Sequence, residues 1–216
     1  GLLAAEGREL NKRFFTSVEK KRPYIILKWA ETADGFIAAD GGKQIQITGE
    51  LSRQLVHKWR TEEPTIMVGT NTALNDNPQL NVRHWVGRNP IRVVIDKSLR
   101  IPSNFKLLDN KQKTLIFNDL ESKNEKFNSF IQVPKGADYL PFILEKLLTL
   151  NQQSVFVEGG TMLLQSFIDA NIFDEIRILK SFMAIKSGVA APRLPQHITL
   201  MQQQIIGTDE LRIFRA

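Results

Sequence analysis

The sequence predicts an α/β domain: a mixed sheet flanked by helices and finished by an antiparallel hairpin. Three observations carry this. Short runs rich in Val, Ile, Leu and Phe alternate with longer segments whose apolar residues recur every three or four positions. Turns rich in Gly, Asn, Asp and Pro separate them. The last two strand candidates, 198–206 and 210–215, flank Gly207 with no helix between them.

Residues 6–20 have a helical period, with Leu10, Phe14 and Phe15 on one side, and Pro23 ends the segment. Tyr24-Ile25-Ile26-Leu27 reads as a buried strand. Asp34-Gly35 is a turn, and Asp40-Gly41-Gly42 a hairpin or flexible loop. Thr48 is placed to cap a helix whose Leu51, Leu55 and Trp59 fall at i, i+4 and i+8. Thr65-Ile66-Met67-Val68-Gly69 is the next strand, and Asn75-Asp76-Asn77-Pro78 a strong turn. Strands follow at 91–96 and 114–117, then a helix near 138–150 with Leu140, Ile143, Leu144, Leu147 and Leu148 on a wide apolar face. A strand at 154–157 runs straight into Glu158-Gly159-Gly160-Thr161, which opens a helix over 161–169. Residues 175–180 alternate like a half-exposed strand. No linker interrupts 23–216, so this is one domain preceded by a helical arm, 1–22.

Composition narrows the function classes. Of 216 residues, 42% are hydrophobic and 24% charged, as in an ordinary soluble globular protein. No apolar run approaches the roughly 18 residues that suggest a membrane span, and Glu6, Arg8 and Glu9 interrupt any secretory pattern at the start. Without an initiator Met, the chain reads as a piece of something longer. The absence of cysteine excludes disulfides, thiol nucleophiles and cysteine-ligated zinc, and fits a reducing cytoplasm. His57, His84 and His197 are scattered and read as surface or interface residues, so no metal site is expected. The net charge is +6, with seven of the 29 basic residues before residue 29. These read as a solvated linker, since neither interleaved aromatics nor a recognition motif points to nucleic acid. An anionic small-molecule substrate would use the same excess charge.

In open α/β sheets ligands gather beyond the carboxyl ends of strands. Lys28, Thr32, Thr70, Thr72, Asp96 and Glu158 stand at such ends. Arg60 and Arg83 suit a forked phosphate clamp, or are plain surface residues. Asp76 is a ligand-facing acid or simply a turn-former. The pair Gly159-Gly160 either serves a tight connection or brings backbone N–H groups and a helix start to a phosphate. Glu158 directly before it is costly to bury without a partner. This describes an anion site on a sheet rim, and no particular reaction.

A resemblance goes further. Lys28-Trp29-Ala30-Glu31-Thr32-Ala33-Asp34-Gly35 resembles the K-x-A-x-S-x-D-G opening of the riboflavin-biosynthesis reductase domain. That domain is the C-terminal half of the bifunctional diaminohydroxyphosphoribosylaminopyrimidine deaminase / 5-amino-6-(5-phosphoribosylamino)uracil reductase. The likeness continues through Ile47-Thr48, Arg60, the run from Gly69 to Arg83, Pro90-Ile91-Arg92-Val93-Val94-Ile95-Asp96 and Val157-Glu158-Gly159-Gly160, in the expected order. It implies a dihydrofolate-reductase-like fold with a mixed, mostly parallel sheet, NADPH as hydride donor, a homodimer, and reduction of a ribosyl to a ribityl group; the location expected from the cysteine-free composition is cytoplasmic.

Carried over by position, the resemblance implies substrate contacts at Lys28, Gln44, Arg60, Leu80, Arg83 and Glu158, with the arginines at or near the 5′-phosphate. It implies cofactor contacts at Ala30, Gln46, Thr48, Thr72, Asp76 and Lys97. Residues Gly159, Gly160, Thr161, Met162, Leu163, Leu164, Gln165 and Ser166 would wrap the NADPH pyrophosphate. Glu158 and Asp76 are the expected catalytic groups, neither assigned as the acid. Gln44 and Gln46 replace a serine and a tryptophan common in the family, Lys97 replaces a serine, and Thr161 a proline. The deaminase half, which would need zinc ligands, is missing, so 1–22 reads as a linker remnant of a longer bifunctional chain. A related pterin or pyrimidine reductase is the neighbouring alternative, and a non-catalytic nucleotide- or nucleic-acid-binding module the alternative of another class.

Overall fold

The computed structural model describes residues 3–216. Two short helices, α1 (Ala4–Leu10) and α2 (Lys12–Glu19), lead into β1 (Tyr24–Glu31) and β2 (Phe36–Ala38). Then come α3 (Glu50–Glu62), β3 (Thr65–Gly69), α4 (Thr70–Asp76), β4 (Ile91–Ile95), β5 (Thr114–Asn118), β6 (Lys123–Glu125) and β7 (Asn128–Gln132). The chain continues through α5 (Tyr139–Thr149), β8 (Ser154–Val157), α6 (Thr161–Asp169), β9 (Glu175–Ser181), β10 (Val189–Ala190), β11 (Thr199–Ile206) and β12 (Asp209–Arg215).

One sheet has the order β11-β12-β9-β1-β8-β3-β4-β5-β7-β6. Strands β9 through β7 are mutually parallel, and antiparallel strands close both edges. Strands β2 and β10 pair separately. Alternation along β1 sorts the core into two layers. Ile25, Leu27 and Trp29 join Leu144, Leu147, Leu164 and Phe167 from α5 and α6. Tyr24 and Ile26 join Val56, Trp59 and Ala73 from α3 and α4. The carboxyl ends of β1, β3, β4 and β8 therefore share one rim.

The mixed, mostly parallel sheet and the C-terminal hairpin agree with expectation, and several local readings do not. Helix α4 stands where a turn alone was read; the turn signal survives as its left-handed cap, Asn77 at φ 39°. Strands β2, β6, β7 and β10 carry little β-branched signal. Strand β9 is buried along almost its whole length because Glu175 and Arg177 neutralise each other, Arg177 Nε donating at 2.6 Å. Burial alone would raise the Glu175 carboxyl, but Arg177 and Lys12 outweigh it and bring it down to about 2.

The arm also differs. Asn11 splits the expected single helix, and Leu10 and Phe14 point outward, 82% and 50% exposed. Several of its contacts are ionic. Arg13 bonds the buried Glu63 through Nε at 2.9 Å and again through Nη2, and Lys12 reaches buried Glu175 at 3.1 Å. Lys20 and Arg22 both bond Asp174. Residues 1 and 2 of that segment lie outside the described residues.

Helix α3 is capped from a distance. Gly49, not Thr48, is its cap residue, and no side chain of the neighbouring sequence closes it. Asp209 on β12, 1% exposed, accepts the Gly49 N–H at 2.8 Å. Its buried face uses Ser52, Val56, His57 and Trp59, while Leu51 is exposed.

Candidate active site

The shared rim opens into one cleft of about 1260 Å³. Strand β1 contributes Lys28 and Ala30, the segment before α3 contributes Gln44, Gln46 and Thr48, and α3 contributes Arg60. Thr72 and Asp76 come from α4, Leu80 and Arg83 from the loop after it, and Lys97 from the turn after β4. Glu158, Gly159, Gly160 and residues 161–164 complete the wall. Gln165 and Ser166 do not reach it: Gln165 bonds Asp169 and the Arg193 N–H, and Ser166 Oγ donates to the Leu163 carbonyl. Arg53, Asn71, Asn75 and Arg100 line the cleft without having been singled out by sequence. For Arg53 a signal existed, since it precedes Arg60 by seven residues and so shares its helix face.

At the centre, Glu158 meets its required partner. Arg60 donates from Nε to Oε1 at 2.7 Å and from Nη2 to Oε2 at 2.9 Å, a forked pair, and from Nη1 to the Asn81 carbonyl at 3.0 Å. The two side chains are 11% and 8% exposed, so desolvation strengthens the pair and makes each partner costly to remove. Burial alone would raise the Glu158 carboxyl, but the Arg60 charge and hydrogen bonds, with Lys28, hold it below the usual carboxylate range. Burial pushes the Lys28 ammonium down, Glu158 opposes this, and Arg60 adds to it. Asp76 differs from Glu158. Burial raises its carboxyl, and no cation opposes the shift.

Three sequence readings are corrected. His57 is buried rather than at the surface, because it falls on the packed face of α3. Thr32 and Asp96 build turns rather than facing a ligand. Thr32 Oγ1 donates to Asp34, whose carboxylate accepts the N–H groups of Ile185 and Lys186, while Asp96 accepts the Ile101 N–H at 2.8 Å.

His57 Nδ1 accepts the Arg83 N–H at 3.2 Å, which fixes the loop carrying Arg83. Burial, aided by Arg60, Arg83 and His84, pushes the ring from 6.5 down to about 4. A histidine lowered in this way binds protons better when unfolded. It leaves stability intact above about pH 6.5 and removes it progressively as pH falls toward 4. His57→Gln, which retains an acceptor, is expected to flatten that stretch of a stability-against-pH curve; an unchanged slope there would show that His57 is not its source.

Thr72 packs against the glycine pair and leaves no room for a side chain at either position. A Cβ on Gly159 would come within 3.0 Å of the Thr72 side chain, and one on Gly160 within 2.9 Å. Gly160 also has φ 64°, which favours glycine. Backbone N–H groups at the start of α6 have no partner within the helix and stand at the cleft. Among the described residues no cluster of His, Cys, Asp or Glu could hold a metal ion, and no helix is long and apolar enough to cross a membrane.

A family model described as the RibD C-terminal domain matches residues 23–194. The chain belongs to the RibD C-terminal domain family. Riboflavin biosynthesis protein RibD of Aquifex aeolicus is 36% identical over 182 residues, covering 82% of this chain and 51% of that protein. The 2,5-diamino-6-ribosylamino-4(3H)-pyrimidinone 5′-phosphate reductase of Archaeoglobus fulgidus is 33% identical over 173 residues, covering 73% and 79%. A crystal structure of a diaminohydroxyphosphoribosylaminopyrimidine deaminase/5-amino-6-(5-phosphoribosylamino)uracil reductase from Thermotoga maritima superposes with a TM-score of 0.88 at 28% identity. It covers all of this chain and 62% of that one. This RibD C-terminal domain spans about half the length of the RibD relatives it matches. The match includes the rim residues Lys28, Arg60, Asp76, Arg83 and Glu158 within its bounds.

Proposed function

We propose that this chain reduces the ribosyl group of 5-amino-6-(5-phosphoribosylamino)uracil to a ribityl group, with NADPH as reductant. The observation that carries the reading is the buried, ionised Glu158 held by Arg60 in the same cleft as the uncompensated acid Asp76 and the Gly159-Gly160 turn. A reductase of this family implies a nicotinamide cofactor. Thr72, Gly159, Gly160 and the start of α6 would hold its pyrophosphate, with Ala30, Gln46, Thr48 and Lys97 along the rest of the groove. When bound, the reduced nicotinamide supplies the hydride.

The protein's own part is electrostatic. Opening the sugar places a proton on the ring oxygen and leaves C1′ in a protonated imine, a cation. An ionised carboxylate stabilises that cation, and Arg60 and Lys28 keep Glu158 ionised. The proton needs a donor that holds it near neutral pH, and burial biases Asp76 that way. Two carboxylates with opposite shifts thus divide the stabilising and donating roles.

A homodimer is supported by the outer strand β11, which leaves one edge unpaired and Leu200, Met201 and Ile205 exposed. A deaminase domain in a longer chain is supported by the half-length match to the RibD relatives. A cytoplasmic location is supported by the lack of cysteine.

The reaction is tested by mixing the protein with NADPH and the phosphoribosylaminouracil and following the reduced-nicotinamide absorbance. Substrate-dependent loss is expected, and NADPH that stays reduced with both partners bound would refute the reading. In a pH–rate profile kcat is expected to fall as pH rises through the raised value of Asp76. Asp76→Asn is expected to abolish that limb and lower kcat by roughly 100-fold or more. A limb that persists in the variant would remove Asp76 from the donor's role.

A further inference from the structure

Residues 80–83 form a stretch of the cleft wall that belongs to neither a helix nor a strand. Leu80 and Arg83 line the cleft, and buried Leu80 holds φ 49°, a left-handed value that a non-glycine residue keeps only where its surroundings impose it. One backbone group of each of the four residues is taken by a side chain. Gln112 Nε2 donates to the Leu80 carbonyl at 3.3 Å, and Arg60 Nη1 to the Asn81 carbonyl at 3.0 Å. The Val82 N–H donates to Asn89 Oδ1 at 2.8 Å, and the Arg83 N–H to His57 Nδ1 at 3.2 Å.

Three of these ties are shared or weak. Arg60 also grips Glu158, Gln112 Nε2 also serves the Pro90 carbonyl, and Asn89 moves with the loop it holds. His57 differs. It stands on the packed face of α3, buried, and among the described residues its ring makes no other hydrogen bond. The ring also meets His84 edge-on, with 4.8 Å between ring centres, so it holds the loop at two consecutive residues. A ring nitrogen that accepts carries no proton, which fixes a neutral imidazole with its proton on Nε2. Burial, then Arg60, Arg83 and His84, disfavour the charged ring and outweigh the opposite pull of Glu158.

We propose that His57 is a positioning residue for substrate binding: its Nδ1 anchors residues 80–83 to α3, so that this wall of the cleft is set before the substrate arrives. The inference rests on the proposed function, with Leu80 and Arg83 facing the substrate and not the cofactor. It gives a functional part to a side chain that does not itself line the cleft. A wall already ordered leaves no ordering cost to subtract from affinity. Loss of the anchor therefore falls on substrate affinity. The Gly159-Gly160 end of the cleft and the hydride step do not depend on it.

The test compares wild type, His57→Leu and His57→Asn, measuring Kd for 5-amino-6-(5-phosphoribosylamino)uracil and for NADPH, together with KM and kcat. Leucine keeps much of the bulk and removes the acceptor, whereas asparagine puts Oδ1 at the same remove from Cβ as Nδ1. His57→Leu leaves the Arg83 N–H without its partner, and is expected to weaken the substrate roughly 10-fold or more in both Kd and KM. In that variant kcat and NADPH affinity should stay within about threefold, and His57→Asn should bring the substrate back to within about threefold of wild type. Unchanged substrate binding in His57→Leu, or equal loss in both variants, would overturn the anchor. A fall in kcat at constant KM would overturn it too. The wild-type chain supplies a measurement that needs no variant to fold. Long-range proton–nitrogen NMR correlations should show the His57 proton on Nε2 near neutral pH, and a proton on Nδ1 would overturn the proposal. If wild type bound the aminouracil yet left NADPH reduced, the proposed reaction would fall, while a loss of binding in His57→Leu rescued by His57→Asn would still support the anchor.

Discussion

Glu158→Gln is expected to lower kcat by at least about 100-fold while leaving NADPH affinity within about threefold. The amide matches the carboxylate in shape and still accepts one hydrogen bond from Arg60, so the wall of the cleft is retained. The charge is lost. In wild type that charge survives burial only because Arg60 grips both oxygens, at 2.7 and 2.9 Å, with Lys28 adding its field. A cationic intermediate at C1′ would then face Arg60 and Lys28 without the compensating anion, so the loss falls on the chemical step. A variant with wild-type kcat and an unchanged melting temperature would reduce Glu158 to a packing partner of Arg60.

Arg13→Ala is expected to destabilise the fold by about 3 kcal/mol, because it strands a buried carboxylate. For a domain of this size that is a fall in Tm of roughly 6–12 °C. Glu63 is fully buried, and without Arg13 its remaining side-chain partner is the Ser154 hydroxyl. Converting both positions together, Arg13→Met with Glu63→Leu, should recover most of the loss, since a buried ion pair can be exchanged for apolar contact at little net cost. If Arg13→Ala alone left Tm unchanged, the helical arm would be a loosely attached segment and not part of the folded unit.

The strong periodic signals were legible in the sequence. Strands β3, β5 and β8 are mainly apolar runs, as is β4 apart from Arg92, and α5 and α6 carry wide apolar faces, because each is buried by its neighbours on both sides of the sheet. Most of the cleft was legible too, since the carboxyl ends of parallel strands must share a rim. What escaped depends on partners distant in sequence. Asp209 caps α3 from 160 residues away, a bond that no local window around Thr48 contains. Charge also misled. Lys12, Arg13, Lys20 and Arg22 read as a solvated linker, yet each is neutralised by a buried acid contributed much later in the chain. The cost of burying Glu158 predicted that a partner must exist, and only the folded chain names it as Arg60.

The most direct measurement uses NADPH deuterated at the nicotinamide C4 hydrogen that is transferred, with the phosphoribosylaminouracil as substrate and mass and NMR analysis of the product. A ribityl product carrying one deuterium, located at C1′, is expected. A product without deuterium there, or one reduced in the pyrimidine ring, would contradict it.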